Sequence, residues 1–205
     1  MGNIRRLRKK YQGPSHMWQK ERIVEEKTIL KEYGLVNKKE VWRATSTLAR
    51  YKNLAKTAIS SITAQSEKEA AQLLTKLKNL GLLSEGSLLS DVLKLSVKDV
   101  LERRLQTVVF RRGLSHSVKQ ARQFITHGHI TVNGVAISSP SYLVTKAEEL
   151  TVMFSPSSAL HDDQHPERSA PIKAVETESE ASSTKSEAAE KATESTEKKP
   201  TTTEA

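Results

Sequence analysis

The chain has 205 residues, 36% of them hydrophobic and 4% aromatic, a formal net charge of +9 and no cysteine. That length holds one ordinary domain or two small ones, and the low apolar content leaves part of the chain without a core to bury. Missing cysteine excludes disulfides, a thiol nucleophile and every cysteine-based zinc site, and fits a reducing cytoplasm.

No apolar run reaches the length of a membrane span, and the basic start continues as "YQGPSHMWQKER" rather than as the apolar stretch of a secretory signal. Residues 1–154 carry 27 Lys and Arg against 13 Asp and Glu, a net of +14, whereas residues 155–205 carry 6 against 11, a net of −5. A body so basic suits a polyanion, with RNA, DNA and an acidic membrane surface as the candidates.

Arg5, Arg6, Arg8, Lys9 and Lys10 open the chain. Such a run is either idle and solvated or an arm that orders against phosphates, and the charge of the rest favours the arm. "ERIVEEKTILKEYG" predicts a short helix closed by Gly34. Val41, Ala44, Leu48, Tyr51, Ala55, Ala58, Ile59 and Ile62 recur at spacings of three and four, which predicts a helix of about six turns capped by Asn37. Its opposite face carries Lys39, Arg43, Arg50 and Asn53, for one helix alone most simply a solvated face.

A third helix is expected from Ser66, with Glu69 completing a capping box, through Leu74, Leu77 and Leu80 to Gly81. "SLLSDVLKL" reads as a short fourth. The fifth runs from Val97 to Arg112 with Leu101, Leu105, Val108 and Val109 inward and Gly113 as its stop. Arg104 and Arg111 share the edge of that face, and Arg103 and Arg112 lie further round. "SHSVKQARQFITHG" predicts a helix with Ser117 and Gln120 as a capping box and a left-handed stop at Gly128. Val118, Ala121 and Ile125 face inward; Lys119, Arg122, Gln123 and Thr126 face out. The Asn133-Gly134 pair then marks a tight turn after a short strand.

Catalytic readings of this segment fail on chemistry. His127 and His129 lack the further ligands that a metal needs, and Ser115-His116-Ser117 has neither an elbow glycine pattern nor an acid partner. Glu148 and Glu149, as adjacent strand-end residues, point to opposite faces and serve to solvate a turn. No phosphate loop or dinucleotide fingerprint occurs. Beyond Phe154 there is no aromatic residue and four of the six prolines occur there, so Val175–Ala205 is expected to be disordered. What remains is a surface on which guanidinium forks, amides, hydroxyls and a glycine-rich corner suit an RNA backbone.

"LERRLQTVVFRRGLSHSVKQARQFITHGHITVNG", followed by "PSYLV", closely resembles the S-four (S4) RNA-binding module, named after the fourth protein of the small ribosomal subunit. Upstream, "EYGLVNKKEVWR" and "LARYKNLAK" resemble the N-terminal helical part of the archaeal and eukaryotic form of that ribosomal family, and "HPERSA" resembles the archaeal form. The resemblance implies an α+β fold: a mainly helical N-terminal domain carrying a module of two packed helices and a small bent antiparallel sheet. It implies direct binding to small-subunit ribosomal RNA, nucleation of subunit assembly and a cytoplasmic place in the small subunit, near the channel by which messenger RNA enters. Neighbouring small-subunit proteins are implied as partners and messenger RNA as a further candidate. No cofactor, metal, membrane or homo-oligomer is expected.

By residue, the family's RNA surface falls on Arg103, Arg104, Arg111 and Arg112; on Ser115, Ser117, Lys119, Gln120, Arg122 and Gln123; and on His127, Gly128, His129, Asn133 and Gly134. To these the charge pattern adds Arg5, Arg6, Arg8, Lys9, Lys10, Lys39, Arg43 and Arg50. The expected organisation is a basic arm over 1–20, a helical domain over 21–100, the module over 101–154, a docking extension over 155–174 and an acidic tail over 175–205. Many bacterial members have a four-cysteine zinc knuckle that this chain lacks, so its arm must be held by RNA or by neighbouring proteins. Pseudouridine synthases and tyrosyl-tRNA synthetases append the same module to a large catalytic domain, for which the simple helices preceding it here leave no room. A free-standing stress protein using the module to rescue stalled ribosomal particles is the other alternative, and it has no need of the "EYGLVNKKEVWR" region.

Overall fold

Helix α1, Lys20–Glu32, ends in a tight reversal: Leu35 N–H reaches back to the carbonyl of Leu30 at 3.0 Å across Gly34, whose φ is +55°. A side chain at Gly34 would also meet Val118 at 3.2 Å, so glycine serves both the turn and a close approach. The computed structural model describes residues 9–61, 63–162 and 165–169. One compact unit ends at Arg168. The expectation of a disordered Val175–Ala205 lies outside the described residues.

Helix α2, Lys38–Ser60, buries Val41, Ala44, Leu48, Tyr51 and Ala55, the stripe its spacing predicts. Beyond Ala55 the expected stripe weakens, with Ala58 half-buried and Ile59 exposed; Ile62 lies outside the described residues, and Asn37 caps the helix by position without a side-chain hydrogen bond. Helix α3, Ala64–Asn79, starts earlier than the expected Ser66–Glu69 box: Thr63 Oγ1 accepts from Ser66 N–H at 3.2 Å, and Ser66 Oγ accepts from Thr63 N–H at 3.1 Å. Two hydroxyls here satisfy the first-turn amides that the sequence assigned to Glu69. Helix α4 spans Leu89–Lys94.

The expected single helix from Val97 to Arg112 is two, α5, Val97–Glu102, and α6, Leu105–Arg111. The apolar periodicity runs through the break, but the backbone does not. Arg104 is extended and bridges Leu143, Leu105 N–H donates to the Tyr142 carbonyl at 2.8 Å, and Val144 N–H donates to the Arg103 carbonyl at 2.9 Å. A strand-like segment from the far end of the module takes the hydrogen bonds that a continuous helix would have kept for itself.

Helix α7, Val118–Thr126, leads through Gly128 into β1, Ile130–Val132, and β2, Val135–Ala136. Asn133 and Gly134 take φ of +52° and +79°, the double left-handed turn that an Asn-Gly hairpin requires. A short helix α8, Lys146–Glu149, precedes β3, Met153–Phe154, and the antiparallel sheet has the order β2-β1-β3. The fold is the expected α+β one, mostly helical with one small sheet. Glu148 and Glu149, however, lie in α8 rather than at a strand end. Glu148 accepts from the Tyr142 hydroxyl at 2.8 Å, and Glu149 pairs with Arg103 at 2.8 Å.

The apolar core forms two clusters that divide between Leu101 and Leu105. The first joins Tyr33 and Leu35 to α2, α3, α4 and α5; the second joins α6, α7 and the sheet, with Leu160 beyond it.

Glu26 is the one residue of α1 that is buried. Its Oε1 accepts from Trp42 Nε1 at 3.0 Å and from Arg22 at 2.5 Å, and Lys38 Nζ lies 3.3 Å from Oε2. Burial pushes the carboxyl up, but the hydrogen bonds from Trp42, Arg22 and Lys38 outweigh it and hold Glu26 below its ordinary 4.5. A depressed carboxylate contributes stability that is complete above its unfolded pKa and lost as pH falls through the folded one. Urea unfolding below about pH 4.5 should therefore show a shallower loss of stability with acid for Glu26→Gln than for the wild type. Equal slopes would contradict this role for Glu26.

Candidate nucleic-acid interface

Three elements meet at one carboxylate. Glu40, in the first turn of α2, accepts from Arg104 at 2.8 Å through Oε2 and from Arg122 of α7 at 3.0 Å through Oε1. Beside it Gln106 is fully buried. Its Nε2 donates to the Val118 carbonyl at 2.9 Å and the Gly34 carbonyl at 3.2 Å, and its Oε1 lies 3.5 Å from Arg122. Burial pulls the Arg104 guanidinium below the usual arginine range; Glu40 opposes this, while Arg122 and Arg43 add to it as neighbouring like charges. One acid thus pairs with two arginines.

The knot changes the place of several expected site residues. Arg104, expected at an exposed edge, is 6% exposed and held by Glu40. Arg103 is occupied by Glu149 and by the Val144 carbonyl at 3.2 Å, and Arg112 by the carbonyls of Val152 and Glu149. Arg111 is exposed but gripped at both ends by Glu102, at 2.9 and 3.2 Å. Each of the four arginines flanking and ending α6 thus has a partner within the chain, Arg103 and Arg104 in its interior and Arg111 and Arg112 at its surface. Ser115 is buried, and its Oγ has no hydrogen-bond partner.

On α7, Ser117 Oγ accepts from Gln120 N–H at 3.1 Å, but the Gln120 side chain does not return the bond. Its Oε1 takes the His116 N–H at 2.8 Å, and its Nε2 donates to Glu167 at 2.7 Å. Lys119, Gln123 and His127 are exposed. His129 is half-buried, with Nδ1 2.8 Å from Ser158 Oγ and its ring edge-on to Phe124. Asn133 Oδ1 accepts from the Thr151 hydroxyl at 2.6 Å, which braces the exposed Asn133-Gly134 corner.

Away from the module, Lys39, Arg43 and Arg50 are exposed along α2 with no carboxylate partner among the described residues. Lys9 and Lys10 line a cleft with Arg43 and Arg50, together with Tyr11, Gln12, Ser46 and Thr47, and among the described residues no acid lines it. The segment is pinned where Gln12 N–H donates to Ser46 Oγ at 2.9 Å and where the Tyr11 ring lies 6.1 Å from that of Trp42. Arg5, Arg6 and Arg8 lie outside the described residues. Sequence reasoning missed Glu40 and Gln106 as organisers, and Ser46, Thr47 and Tyr11 as lining. The available signal was Glu40 itself, a lone acid in a run of Lys38, Lys39 and Arg43.

Among the described residues no group of three or more His, Asp or Glu is placed to hold a metal ion. His116 spends its Nε2 on the Glu167 carbonyl at 2.7 Å, and the neighbouring Ser115 hydroxyl is sealed off, so the pair forms no proton relay. The arrangement is that of a binding surface.

Comparison with known proteins agrees. The S4 domain family matches residues 103–150. The small ribosomal subunit protein uS4 of Methanococcus aeolicus is 49% identical over 177 residues, covering 86% of this chain and 100% of that protein. Its counterpart in Nanoarchaeum equitans is 50% identical over 182 residues, covering 86% and 99%. The chain belongs to the uS4 family. The uS4 protein of Methanococcus maripaludis strain C5, 49% identical over 173 residues, covers 84% of the chain and 97% of its own length. The uS4 relatives are ribosomal proteins and not enzymes, and this uS4 chain is likewise not an enzyme.

Removing Glu40 leaves a buried guanidinium without its counter-charge. Glu40→Ala should cost about 3 kcal/mol or more in urea unfolding, whereas Lys119→Ala should stay within about 0.5 kcal/mol of wild type. Equal, small effects would show that the knot carries no stability.

Proposed function

We propose that the chain is a structural constituent of the small ribosomal subunit that binds small-subunit ribosomal RNA directly. In this reading it also nucleates subunit assembly and lies near the channel by which messenger RNA enters, against neighbouring small-subunit proteins. The observation that carries the reading is the 49–50% identity with uS4 proteins over 86% of this chain. The cleft between the arm and α2 supplies the chemistry. Its four cations face one another without a carboxylate, so a phosphate entering it meets no repulsion and gains several charge-assisted contacts.

The second contact area is α7 with the Gly128 and Asn133-Gly134 corner, where Lys119 supplies charge. Gln123, Thr126 and His127 supply groups that can hydrogen-bond 2′-hydroxyls. Arg103, Arg104, Arg111, Arg112 and Arg122 act there as braces that fix the shape presented to the RNA. In the proposed division of the chain, 1–20 is the arm, 21–100 the helical domain, 101–154 the module and 155–174 a docking extension, with an acidic tail over 175–205. Affinity comes from phosphates, and selectivity from a folded RNA whose shape matches both contact areas at once.

A salt-resolved titration against the 5′ domain of small-subunit ribosomal RNA, with a scrambled folded RNA as competitor, tests this. If six or more phosphates are neutralised, affinity should fall roughly a thousandfold from about 50 to about 200 mM salt, and binding should survive the competitor. Replacing Arg43 and Arg50 together by Ala should flatten the salt slope by about two. A flat wild-type response, or equal binding to both RNAs, would contradict the proposal.

A further inference from the structure

Trp18 is 91% exposed, and Met17 beside it 68%. Nine aromatic residues serve the whole chain, and the other eight have a place inside it. Tyr33, Tyr51, Phe124 and Phe154 are buried, Phe110 packs on the module core, Tyr142 donates to Glu148, Trp42 donates to Glu26, and Tyr11 lies against Trp42. Trp18 stands just before the cap of α1, where an apolar side chain commonly folds onto the fourth helical residue, here Ile23. Its exposure shows that it does not.

The turn that carries it is held in place. Arg22 donates to the carbonyls of His16 and Met17 at 2.8 and 2.9 Å, and it is itself anchored on Glu26 at 2.5 Å. A large ring is thus presented to solvent from a backbone fixed by a buried ion pair. Its surroundings in the chain are basic: residues 9–20 contain Lys9, Lys10, His16 and Lys20 and no acid. The same segment walls the cationic cleft at its start, and Gln12 lines both that cleft and a neighbouring hollow in which Arg22 stands beside Glu25 and Glu26.

We infer that Trp18 is a stacking platform for an unpaired nucleobase of the RNA whose phosphates enter the cleft. A ring alternating with cations along one segment is the arrangement that binds single-stranded nucleic acid, in which phosphates meet charge and a base meets a π-face. Charge selects the occupant. The neighbouring lysines favour an anionic occupant, and an RNA strand brings a flat base to the ring together with the phosphates that the lysines attract. Met17 flanks the platform as a soft apolar contact.

This inference rests on the RNA-binding reading above, and its test separates the two. Wild type, Trp18→Ala and Trp18→Phe are titrated with the 5′ domain of small-subunit ribosomal RNA at several salt concentrations, after circular dichroism shows equal folding. Trp18→Ala should bind about fivefold to about a hundredfold more weakly with an unchanged salt slope, because the lost contact carries no charge. Trp18→Phe should recover most of the affinity, and tryptophan fluorescence should be quenched by RNA in the wild type and far less in Trp18→Phe.

Equal affinity of Trp18→Ala and wild type would overturn the inference while leaving RNA binding intact. So would equal RNA affinity combined with poorer incorporation into small subunits reconstituted with their proteins, which would assign Trp18 to a protein neighbour. Failure of the wild type to bind would instead overturn the reading beneath it.

Discussion

Glu40 holds guanidinium groups from two later segments of the chain, and the relation of the α2 helical layer to the module depends on it. Charges inside a protein are tolerated when paired and hydrogen-bonded, and here one carboxylate and one amide serve two arginines and two carbonyls. The pairing is directional. Arg104 stands at the start of α6, Arg122 leaves the middle of α7, and both must reach the first turn of α2. Gln106 adds the same constraint in neutral form, tying the reversal after α1 to the start of α7. Because the apolar core forms two clusters, this polar seam decides how the α2 cations stand relative to those of α7.

The seam also sorts the cations. Arginines near the break between α5 and α6 have carboxylates or carbonyls within reach and are spent internally. Lys9, Lys10, Lys39, Arg43, Arg50 and Lys119 have none among the described residues, and in the proposed reading they meet an external anion. A basic protein that binds RNA through all its cations would have little to hold its own segments in register. In the proposed reading the paired arginines fix geometry and the unpaired cations supply attraction, and Arg122 stands between the two roles, half-buried and paired yet on the outward side of α7.

Much of this was legible in the sequence because it is local. The apolar stripe of α2 and the inward residues of α6 and α7 followed from helical spacing, and the hairpin followed from Asn133-Gly134, where the required backbone is open to few other residue pairs. The break at Arg103-Arg104 was not legible, because its cause is the segment 142–144 and the periodicity across it is unbroken. Nor were the true states of the arginines. Glu40 lies 64 residues from Arg104 and 82 from Arg122, distances over which no spacing rule applies. The Thr63-Ser66 cap shows the same limit at short range, since a Ser66-Glu69 box was equally well formed on paper.

The most direct check is RNA affinity of Glu40→Gln, measured at several salt concentrations under conditions in which circular dichroism shows the variant folded. By charge alone the substitution removes an acid and releases two arginines, so binding should tighten. If Glu40 instead aligns the α2 cleft with α7, binding should weaken at every salt concentration with little change in salt slope. Tighter or unchanged binding would mean that the two contact areas do not need a fixed relation, and that Glu40 serves stability alone.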